Sequence, residues 1–367
     1  MELKKVTFKN AGAGEFYSTL KKRVDEYFKT KNISETGDWR MVTKTVILLS
    51  VYFTAYAILF TSFATMWVMI GMVVILGICT AAIGFNVAHD AIHGSYSKND
   101  NVNYLVGFAM NLIGGNRYVW SITHNIIHHT YTNIHEFDED IEIAPGLVRL
   151  SQYQKHTPMH RVQQYTAFLL YGFASFFWVL VKDYKKMYQK DIGPYIDKKH
   201  PTKEFVLLFF TKAIYYTYTI ILPLIFLPIT WWQFLIGYLL MHMVAGIILG
   251  VVFQLAHTVE ATDQTALSNS GVIDNNWAIH QMETTSNFAM NSRIINWYVG
   301  GLNFQVEHHL FPRVCHVHYP AISKIVKQTA DEFNVPYNYH QTFMSAVRSH
   351  FRLLKALSKP NVEVQAA

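Results

Sequence analysis

Two long runs without a charged residue dominate the pattern of hydrophobic and polar positions along the chain. The first extends from Thr45 to Ala88 and the second from Ala213 to Val259. A membrane-spanning helix needs about 20 apolar residues, so each run can hold two spans and the turn between them. The first turn is predicted between Ser62 and Trp67; Pro228 and Trp231 mark the second, and tryptophan is typical of a membrane interface. The pattern predicts an all-α integral membrane fold with four transmembrane helices in two hairpins.

Two shorter apolar stretches do not fit this scheme as spans. Thr166 to Val181 and Tyr104 to Ile113 are shorter than a bilayer crossing requires, so we predict interfacial or re-entrant helices. All Lys and Arg residues lie outside the two predicted turns, which indicates that both termini and the central region are cytoplasmic. We therefore predict a cytoplasmic basic leader at 1–40, a membrane domain with a cytoplasmic helical cap at 41–340, and a cytoplasmic helix and tail at 341–367.

Composition agrees with a membrane protein. Hydrophobic residues make up 51% of the 367 residues and charged residues only 15%, whereas soluble domains carry about 25% charged residues. The net charge of +6 forms no basic stripe interleaved with aromatics, which argues against nucleic acid as a partner. Cys79 and Cys315 are the two cysteines, so we expect free thiols and exclude a CxxC site. No cleavable signal peptide is visible, because positions 1–40 are polar.

The candidate chemistry lies in the histidines, of which the chain has 18. Three tight groups follow predicted spans or lie close to the same membrane face. They are HDAIH with His89 and His93, HNIIHH with His124, His128 and His129, and QVEHH with Gln305, His308 and His309. Histidines at i and i+4 share one face of a helix, which suits two ligands of one metal region. Outside these groups, His135, His156, His160, His200 and His350 are interpreted as surface residues.

The number of histidines indicates which metal centre is possible. With His257, at the cytoplasmic end of the fourth predicted span, the count reaches eight, which exceeds what one tetrahedral zinc uses. Eight imidazoles can hold two metals, leaving positions for water, oxygen or Gln305. Imidazole binds zinc, copper, iron and nickel alike, but carboxylate bridges typical of two-metal hydrolases are not obvious here. Redox-active iron is therefore favoured.

The three motifs with their two hairpins resemble the histidine boxes of the membrane fatty acid desaturase superfamily, from about Thr45 to Pro320. Gln305 and the following Glu-His-His resemble the front-end type, which inserts a cis double bond between an existing one and the carboxyl end. The resemblance implies two Fe ions, O₂ as co-substrate and a CoA- or lipid-linked acyl substrate. It implies iron ligation by the seven clustered histidines and His257, while Gln305 stands where other members have a histidine.

Partners and location also follow from this resemblance. Many front-end members carry a fused cytochrome b5 domain with an HPGG motif, and no HPGG occurs here. We therefore expect a separate electron donor, a ferredoxin or a free cytochrome b5. The expected location is a bacterial inner membrane, or the endoplasmic reticulum of a eukaryote.

Several further residues are candidates for supporting roles. Ligating histidines usually donate their second ring N–H to a carboxylate or carbonyl. The candidates for this role are Asp90, Asn125, Asn133, Asp138, Asp140, His316 and His318. Asn125 is also a candidate ligand, and Asp138 and Asp140 could instead form a solvated acidic turn. Trp277, Gln281 and Thr285 share a helix face that could line an acyl path or simply pack. Arg117, Lys182, Lys185 and Lys186 could hold a substrate headgroup or reflect ordinary membrane topology.

Three alternative functions remain open at this level. A hydroxylase or ketolase of the same superfamily would use the same ligands, and the mass of its product would distinguish it. A zinc-containing membrane receptor or lipid hydrolase would need about three histidines and a carboxylate, with one zinc per chain. A proton-relaying transporter would place ionisable residues at mid-membrane, whereas these histidines lie at helix ends.

Overall fold

The computed structural model describes residues 6–9, 14–139, 141, 144–192, 199–266, 271–273 and 275–360. Within these residues the chain is mainly helical. The α-helices are α1 (Glu15–Lys31), α2 (Trp39–Ile58), α3 (Met66–Ile83), α4 (His89–His93), α5 (Asp100–Val106), α6 (Ala109–Leu112), α7 (Arg117–Trp120), α8 (His129–Tyr131), α9 (Gln163–Gly172), α10 (Ala174–Phe177), α11 (Asp183–Tyr188), α12 (Thr202–Tyr216), α13 (Leu222–Phe226), α14 (Trp231–His257), α15 (Trp277–Thr284), α16 (Arg293–Tyr298), α17 (Gln305–Leu310), α18 (Tyr319–Glu332) and α19 (Phe343–Leu357).

Shorter elements complete the backbone. π-helical segments continue or connect several α-helices, at Gly84–Ala88, Ser121–His128, Trp178–Lys182 and Thr217–Ile221. Single 3₁₀ turns occupy Pro158–Val162 and His316–His318. Two pairs of two-residue parallel strands hold loops together: β1 (Thr7–Phe8) pairs with β2 (Val272–Ile273), and β3 (Asn287–Phe288) pairs with β4 (Tyr339–His340).

Among the described residues, four helical stretches are long and apolar enough to cross a membrane: Trp39–Ile58, Met66–His93, Thr202–Phe226 and Trp231–His257. This confirms the predicted number of spans. The first and third helices begin before the uncharged runs at Thr45 and Ala213, so they include charged residues, among them Lys44 and Lys212. Both lysines are buried and hydrogen-bonded, which reduces the cost of a charge within a span.

The apolar stretch predicted at Thr166–Val181 forms no straight helix. Pro158–Gly172 and Ala174–Tyr188 are two helical pieces that bend by 52° at their junction. The stretch Tyr104–Ile113 falls in the short helices α5 and α6. Neither is a straight membrane span, in agreement with the exclusion of both from the predicted hairpins.

Close helix packing in the apolar region depends on small residues. A Cβ atom at Gly77 in α3 would lie 2.5 Å from the Met241 carbonyl oxygen in α14. A Cβ at Gly246 in α14 would collide with the backbone of Gly172 in α9. Glycine therefore permits the close contact of α14 with α3 and α9, as is common in membrane helix bundles.

The helices α1 and α19 both pack against other helices of the fold. The predicted leader contains α1, whose buried residues Phe16, Leu20, Val24 and Phe28 follow helical spacing and pack against α18. At the other end of the chain, α19 packs against α9, where the Tyr171 hydroxyl and His350 Nε2 are 2.9 Å apart. Both α1 and α19 are therefore integral parts of the fold.

Candidate metal centre

The first histidine pair follows α3 without a break in the helical path. The π-helical turn Gly84–Ala88 leads into α4, which begins at His89 and ends at His93. Gly94 ends the helix with a positive φ of 75°, a conformation that glycine adopts without strain. The His89 and His93 rings are buried, with centroids 4.5 Å apart.

The second group lies on a different kind of helix from the one expected. His124 and His128 belong to the π-helical segment Ser121–His128, and His129 begins α8. The His124 and His128 rings stack with centroids 5.0 Å apart, and Trp120 stacks on His124 at 4.2 Å. π-Helical segments occur mainly at functional sites, and this one still aligns the i, i+4 pair.

The remaining histidines come from two other elements. His308 and His309 are buried in α17, and His257 is the buried last residue of α14. These five elements therefore bring together residues that lie more than 200 positions apart in the sequence.

Seven of the eight predicted histidines form two adjacent groups. One ring nitrogen from each of His89, His93, His124 and His308 lies within 4.8 Å of the others, and the same holds for His128, His257 and His309. His129 lies between the groups, with its ring centroid 4.5 Å from that of His308 and 4.4 Å from that of His309. All eight thus share one buried site.

Several ring nitrogens in this site have the environment of metal ligands. In the described part of the chain, the buried Nε2 atoms of His89, His93, His128, His308 and His309 make no hydrogen bond. Neither ring nitrogen of His129 makes one. Buried polar atoms are nearly always paired, so lone pairs concentrated in one space fit cations, and imidazole is a common ligand of redox metals.

The opposite ring nitrogens are held by hydrogen bonds that leave Nε2 facing the site. His128 Nδ1 donates to Asp138 Oδ2 at 2.9 Å, and His309 Nδ1 donates to Gln281 Oε1 at 2.8 Å. His308 Nδ1 lies 3.1 Å from the Tyr319 hydroxyl. Likewise His257 Nδ1 donates to the Thr284 carbonyl at 3.3 Å and His89 Nδ1 to Asp90 Oδ1 at 3.3 Å. Such partners fix the tautomer and orientation of ligating rings.

The predicted supporting residues differ in whether they contact the histidines of the site. Asp90 and Asp138 contact histidines of the site, and Asp138 is buried, so the alternative of a solvated turn is wrong for it. Asn133 donates to the His257 carbonyl at 2.7 Å, whereas Asn125 donates to the Ile92 carbonyl at 2.9 Å and so supports the backbone beside His93. Asp140 lies outside the described residues.

The histidines after the third group, and those predicted at the surface, also differ in outcome. His316 donates to Asp90 at 2.8 Å, and His318 lies 3.3 Å from the Thr36 carbonyl oxygen. His160 and His350 are buried, with 2% and 0% exposure, so their interpretation as surface residues is wrong.

Sequence reasoning missed or misread other residues of the site. Gln281 was considered for an acyl path, yet its amide contacts His309 and Thr132 instead. Trp277 donates its indole N–H to the His129 carbonyl at 3.1 Å. Lys44, Tyr319 and Glu307 were not considered at all. Glu307 was visible in the sequence because it directly precedes His308.

Burial controls the protonation of the third group. Burial, together with the neighbouring His89 and His93 rings, lowers the pKa of His308 well below its usual value. Burial, together with His257 and His128, does the same for His309. Neutral imidazole is the form that binds metal. Burial raises the pKa of Glu307 to about 7, although its carboxyl accepts hydrogen bonds from Tyr337 and Asn287.

A cavity of about 230 Å³ adjoins the histidine site. His89, His124, His308 and Gln305 line it near the site, while Trp120, Phe253 and other apolar side chains form much of the remaining wall. Lys182, Lys185, Lys186 and Glu139 also line it, and Lys186 is paired with Glu139. The cavity thus joins a polyhistidine site, an apolar wall and a charged region.

Comparisons with known proteins agree with this geometry. The family model described as fatty acid desaturase matches residues 65–341. The "sn-1 linoleoyl-lipid 6-desaturase" of Synechocystis sp. is 38% identical over 351 residues, covering 94% of this chain and 96% of that protein. The protein of the same name from Arthrospira platensis is 37% identical over 362 residues, covering 96% and 95%. The "Acyl-lipid (8-3)-desaturase" of Physcomitrium patens is 34% identical over 359 residues, covering 96% of this chain and 74% of that protein.

Proposed function

The chain belongs to the fatty acid desaturase family, and from that premise we propose an acyl-lipid desaturase whose eight histidines hold two Fe ions. It is an integral membrane oxidoreductase that desaturates fatty acyl chains, of the front-end type predicted from the third histidine motif. One observation carries the proposal: two buried histidine groups lie side by side, and three histidines of the first group line a cavity whose wall is partly apolar. A zinc receptor or hydrolase needs only one such group.

The proposed ligands are His89, His93, His124, His128, His129, His257, His308 and His309. Hydrogen-bond partners on Nδ1 and the inward direction of Nε2 support this assignment for His128 and His309 in particular. Gln305 lines the cavity beside His308, so it faces substrate or a metal-bound water in this proposal. Bound iron supplies the activation of O₂ that removing hydrogen from an unactivated methylene requires.

The chain's own residues would hold and position the acyl substrate. Trp120 and Phe253 line the cavity next to the histidines, where an acyl methylene must lie to react. Lys182 and Lys185, at the charged part of the same cavity, would bind a lipid headgroup or a CoA phosphate. The names of the similar proteins, linoleoyl-lipid and acyl-lipid desaturases, favour the lipid-linked form.

The proposed topology puts both hairpin turns on one side of the membrane and the histidine cap on the cytoplasmic side. The distribution of Lys and Arg outside the turns supports it. The divisions 1–40, 41–340 and 341–367 stay part of this proposal; α1 in the first packs against α18, and α19 in the third packs against α9. Electrons would come from a separate carrier, a ferredoxin or cytochrome b5, at the cytoplasmic face.

The test is expression in a host supplied with linoleate, followed by fatty-acid profiling of total lipids. The expected result is a new acyl chain lighter by two hydrogens, with the added double bond on the carboxyl side of the existing ones. His128→Ala or His308→Ala should abolish this product and lower bound iron. A product heavier by one oxygen would instead establish a hydroxylase, and one zinc per chain would exclude the diiron proposal.

A further inference from the structure

A buried lysine lies beside the histidine site at the start of the first span. Lys44 is 6% exposed, and its ammonium group donates to Asn86 Oδ1 at 2.8 Å. The same nitrogen lies 2.9 Å from His316 Nε2. Burying an ammonium in a membrane helix is costly and tends to mark function, so this contact needs an explanation beyond topology.

The contacts continue from His316 to a histidine of the metal site. His316 Nδ1 lies 2.8 Å from Asp90 Oδ2, and the other oxygen of Asp90 lies 3.3 Å from His89 Nδ1. Asp90 Oδ2 also accepts from the His316 backbone N–H at 3.3 Å and from the Cys315 thiol at 3.2 Å. An unbroken series of hydrogen bonds therefore joins Lys44, His316, Asp90 and His89.

The direction of the two hydrogen bonds to Asp90 is fixed, whereas the proton between Lys44 and His316 can lie on either residue. A carboxylate accepts hydrogen bonds, so His316 Nδ1 and His89 Nδ1 must each carry the proton that faces Asp90. His316 Nε2 is then available to accept from the Lys44 ammonium. If the shared proton lies on His316 instead, its Nδ1–H still donates to Asp90. In both cases His89 Nδ1 is a donor, and its Nε2 lone pair faces the histidine site.

The loop before the third histidine group is shaped to hold this series. Gly300 and Gly301 have positive φ angles of 63° and 67°. A Cβ at Gly300 would lie 2.5 Å from the Phe85 carbonyl oxygen and 3.1 Å from Asn86 Cγ, and one at Gly301 would lie 2.7 Å from His316 Cβ. Side chains at these positions would push away both Asn86 and His316.

A third metal site is the obvious competing explanation, because Asp90, Cys315 and His316 could each offer a ligand atom. Lys44 argues against it. Its nitrogen lies 2.9 Å from His316 Nε2, where a positive charge would repel a metal ion. His316 Nδ1 and the Cys315 thiol are also already donating to the carboxylate that would have to bind the metal.

We propose that Lys44 and His316 are positioning residues for His89, acting through Asp90 to hold its ring as an Nε2 ligand. This inference rests on the proposed function, because it takes His89 to be a metal ligand. The positive charge of Lys44 balances the negative charge of Asp90. His316 lies between the two residues and contacts each through one ring nitrogen, so it connects them while separating Lys44 from the metals. No direct contact of either residue with substrate or metal is part of the role.

The experiment compares purified full-length Lys44→Met, Lys44→Arg and His316→Phe with the wild type. The rate of iron loss to an Fe(II) chelator is measured, together with kcat and KM for the acyl substrate. Partners of ligating histidines typically contribute 10–100-fold to metal affinity or activity. Lys44→Met and His316→Phe should therefore lose iron at least about 10-fold faster, with kcat lowered and KM unchanged. Lys44→Arg should restore part of the retention.

Lys212→Met is the matched control. Lys212 is an equally buried lysine in the third span, paired with Asp183 at 2.8 Å, so its loss should lower thermal stability without faster iron release. Wild-type iron retention in Lys44→Met, or equal iron loss in Lys44→Met and Lys212→Met, would overturn the inference. A wild type without iron or desaturation would instead overturn the proposed function.

Discussion

At the scale of single residues, the histidine site depends on groups that never need to touch a metal. Asp138, Gln281 and Thr284 each accept a hydrogen bond from the Nδ1–H of one clustered histidine. These hydrogen bonds orient each ring so that its Nε2 faces the site. The residues that accept them therefore contribute to metal binding without contacting the metal.

The Asp138–His128 contact gives a direct test of this view. Asp138→Asn removes the negative charge that faces His128 Nδ1 and leaves only a neutral amide oxygen, a weaker acceptor, for His128 Nδ1 and for the Asn133 backbone N–H, 3.0 Å from Asp138 Oδ2. We expect iron content or desaturation to fall by about 10–100-fold. Glu136→Gln, at an exposed carboxylate nearby, should leave both at the wild-type level. Equal effects of the two changes would contradict the proposed role of Asp138.

A second residue-scale prediction concerns acid stability and His350. Burial lowers the pKa of His350 to about 4, while Nδ1 donates to the Thr258 carbonyl at 2.7 Å. An unfolded histidine titrates near 6.5, so the unfolded state binds the extra proton first. The contribution of His350 to the free energy of unfolding is therefore fully present above pH 6.5 and is lost as the pH falls towards 4.

The measurement is thermal unfolding in detergent at pH 7 and pH 5. The wild type should lose about 2 kcal/mol from this residue between these pH values. His350→Gln should unfold at a lower temperature at pH 7 but show a smaller drop at pH 5. His156→Gln, at a half-buried histidine, should keep the wild-type pH dependence, and the same dependence in His350→Gln would refute the prediction.

At the scale of elements, the loop Gly300–Gly301 joins α16 to α17 in a conformation that suits glycine alone. Gly300→Ala should destabilise the protein by about 1–2 kcal/mol from the left-handed backbone, with a further loss because its Cβ would contact the Phe85 carbonyl oxygen. Gly146→Ala is the matched control, since Gly146 has φ 74° but open space around it. The unfolding temperature of Gly146→Ala reports the backbone strain alone, and the additional decrease in Gly300→Ala reports the clash with Phe85. Equal decreases in the two variants would contradict the packing argument.

Elements also differ in how well the sequence predicts them. The four spans follow from uncharged length, and the histidine pairs from their spacing, because both depend on local sequence. The π-helical geometry at Ser121–His128 cannot be read from the i, i+4 spacing, since an α-helix would also align these residues. The contacts of Lys44 with His316 and of Gln281 with His309 cannot be read from the sequence, because these partners lie 272 and 28 positions away. His350 appeared to be a surface residue for the same reason.

At the scale of the whole molecule, four apolar helices are long enough to cross a membrane, and α1 and α19 pack against other helices of the fold. The proposed topology predicts that the turn between α2 and α3 faces the side opposite to α1. Ser62 and Ser18 are exposed, and both native cysteines are buried. In sealed vesicles, an impermeant thiol reagent should therefore modify Ser62→Cys and Ser18→Cys from opposite sides. Modification of both from one side would contradict the hairpin.

The separation of the site residues along the chain has a consequence for biosynthesis. His308 and His309 follow the last span, and only 58 of the 367 residues come after them. Both proposed iron positions need a histidine from this late segment, so all four spans must enter the bilayer before either coordination sphere can close. Iron delivery would then be a late step of maturation, and a ribosome stalled before residue 308 would leave an inserted chain with an incomplete centre.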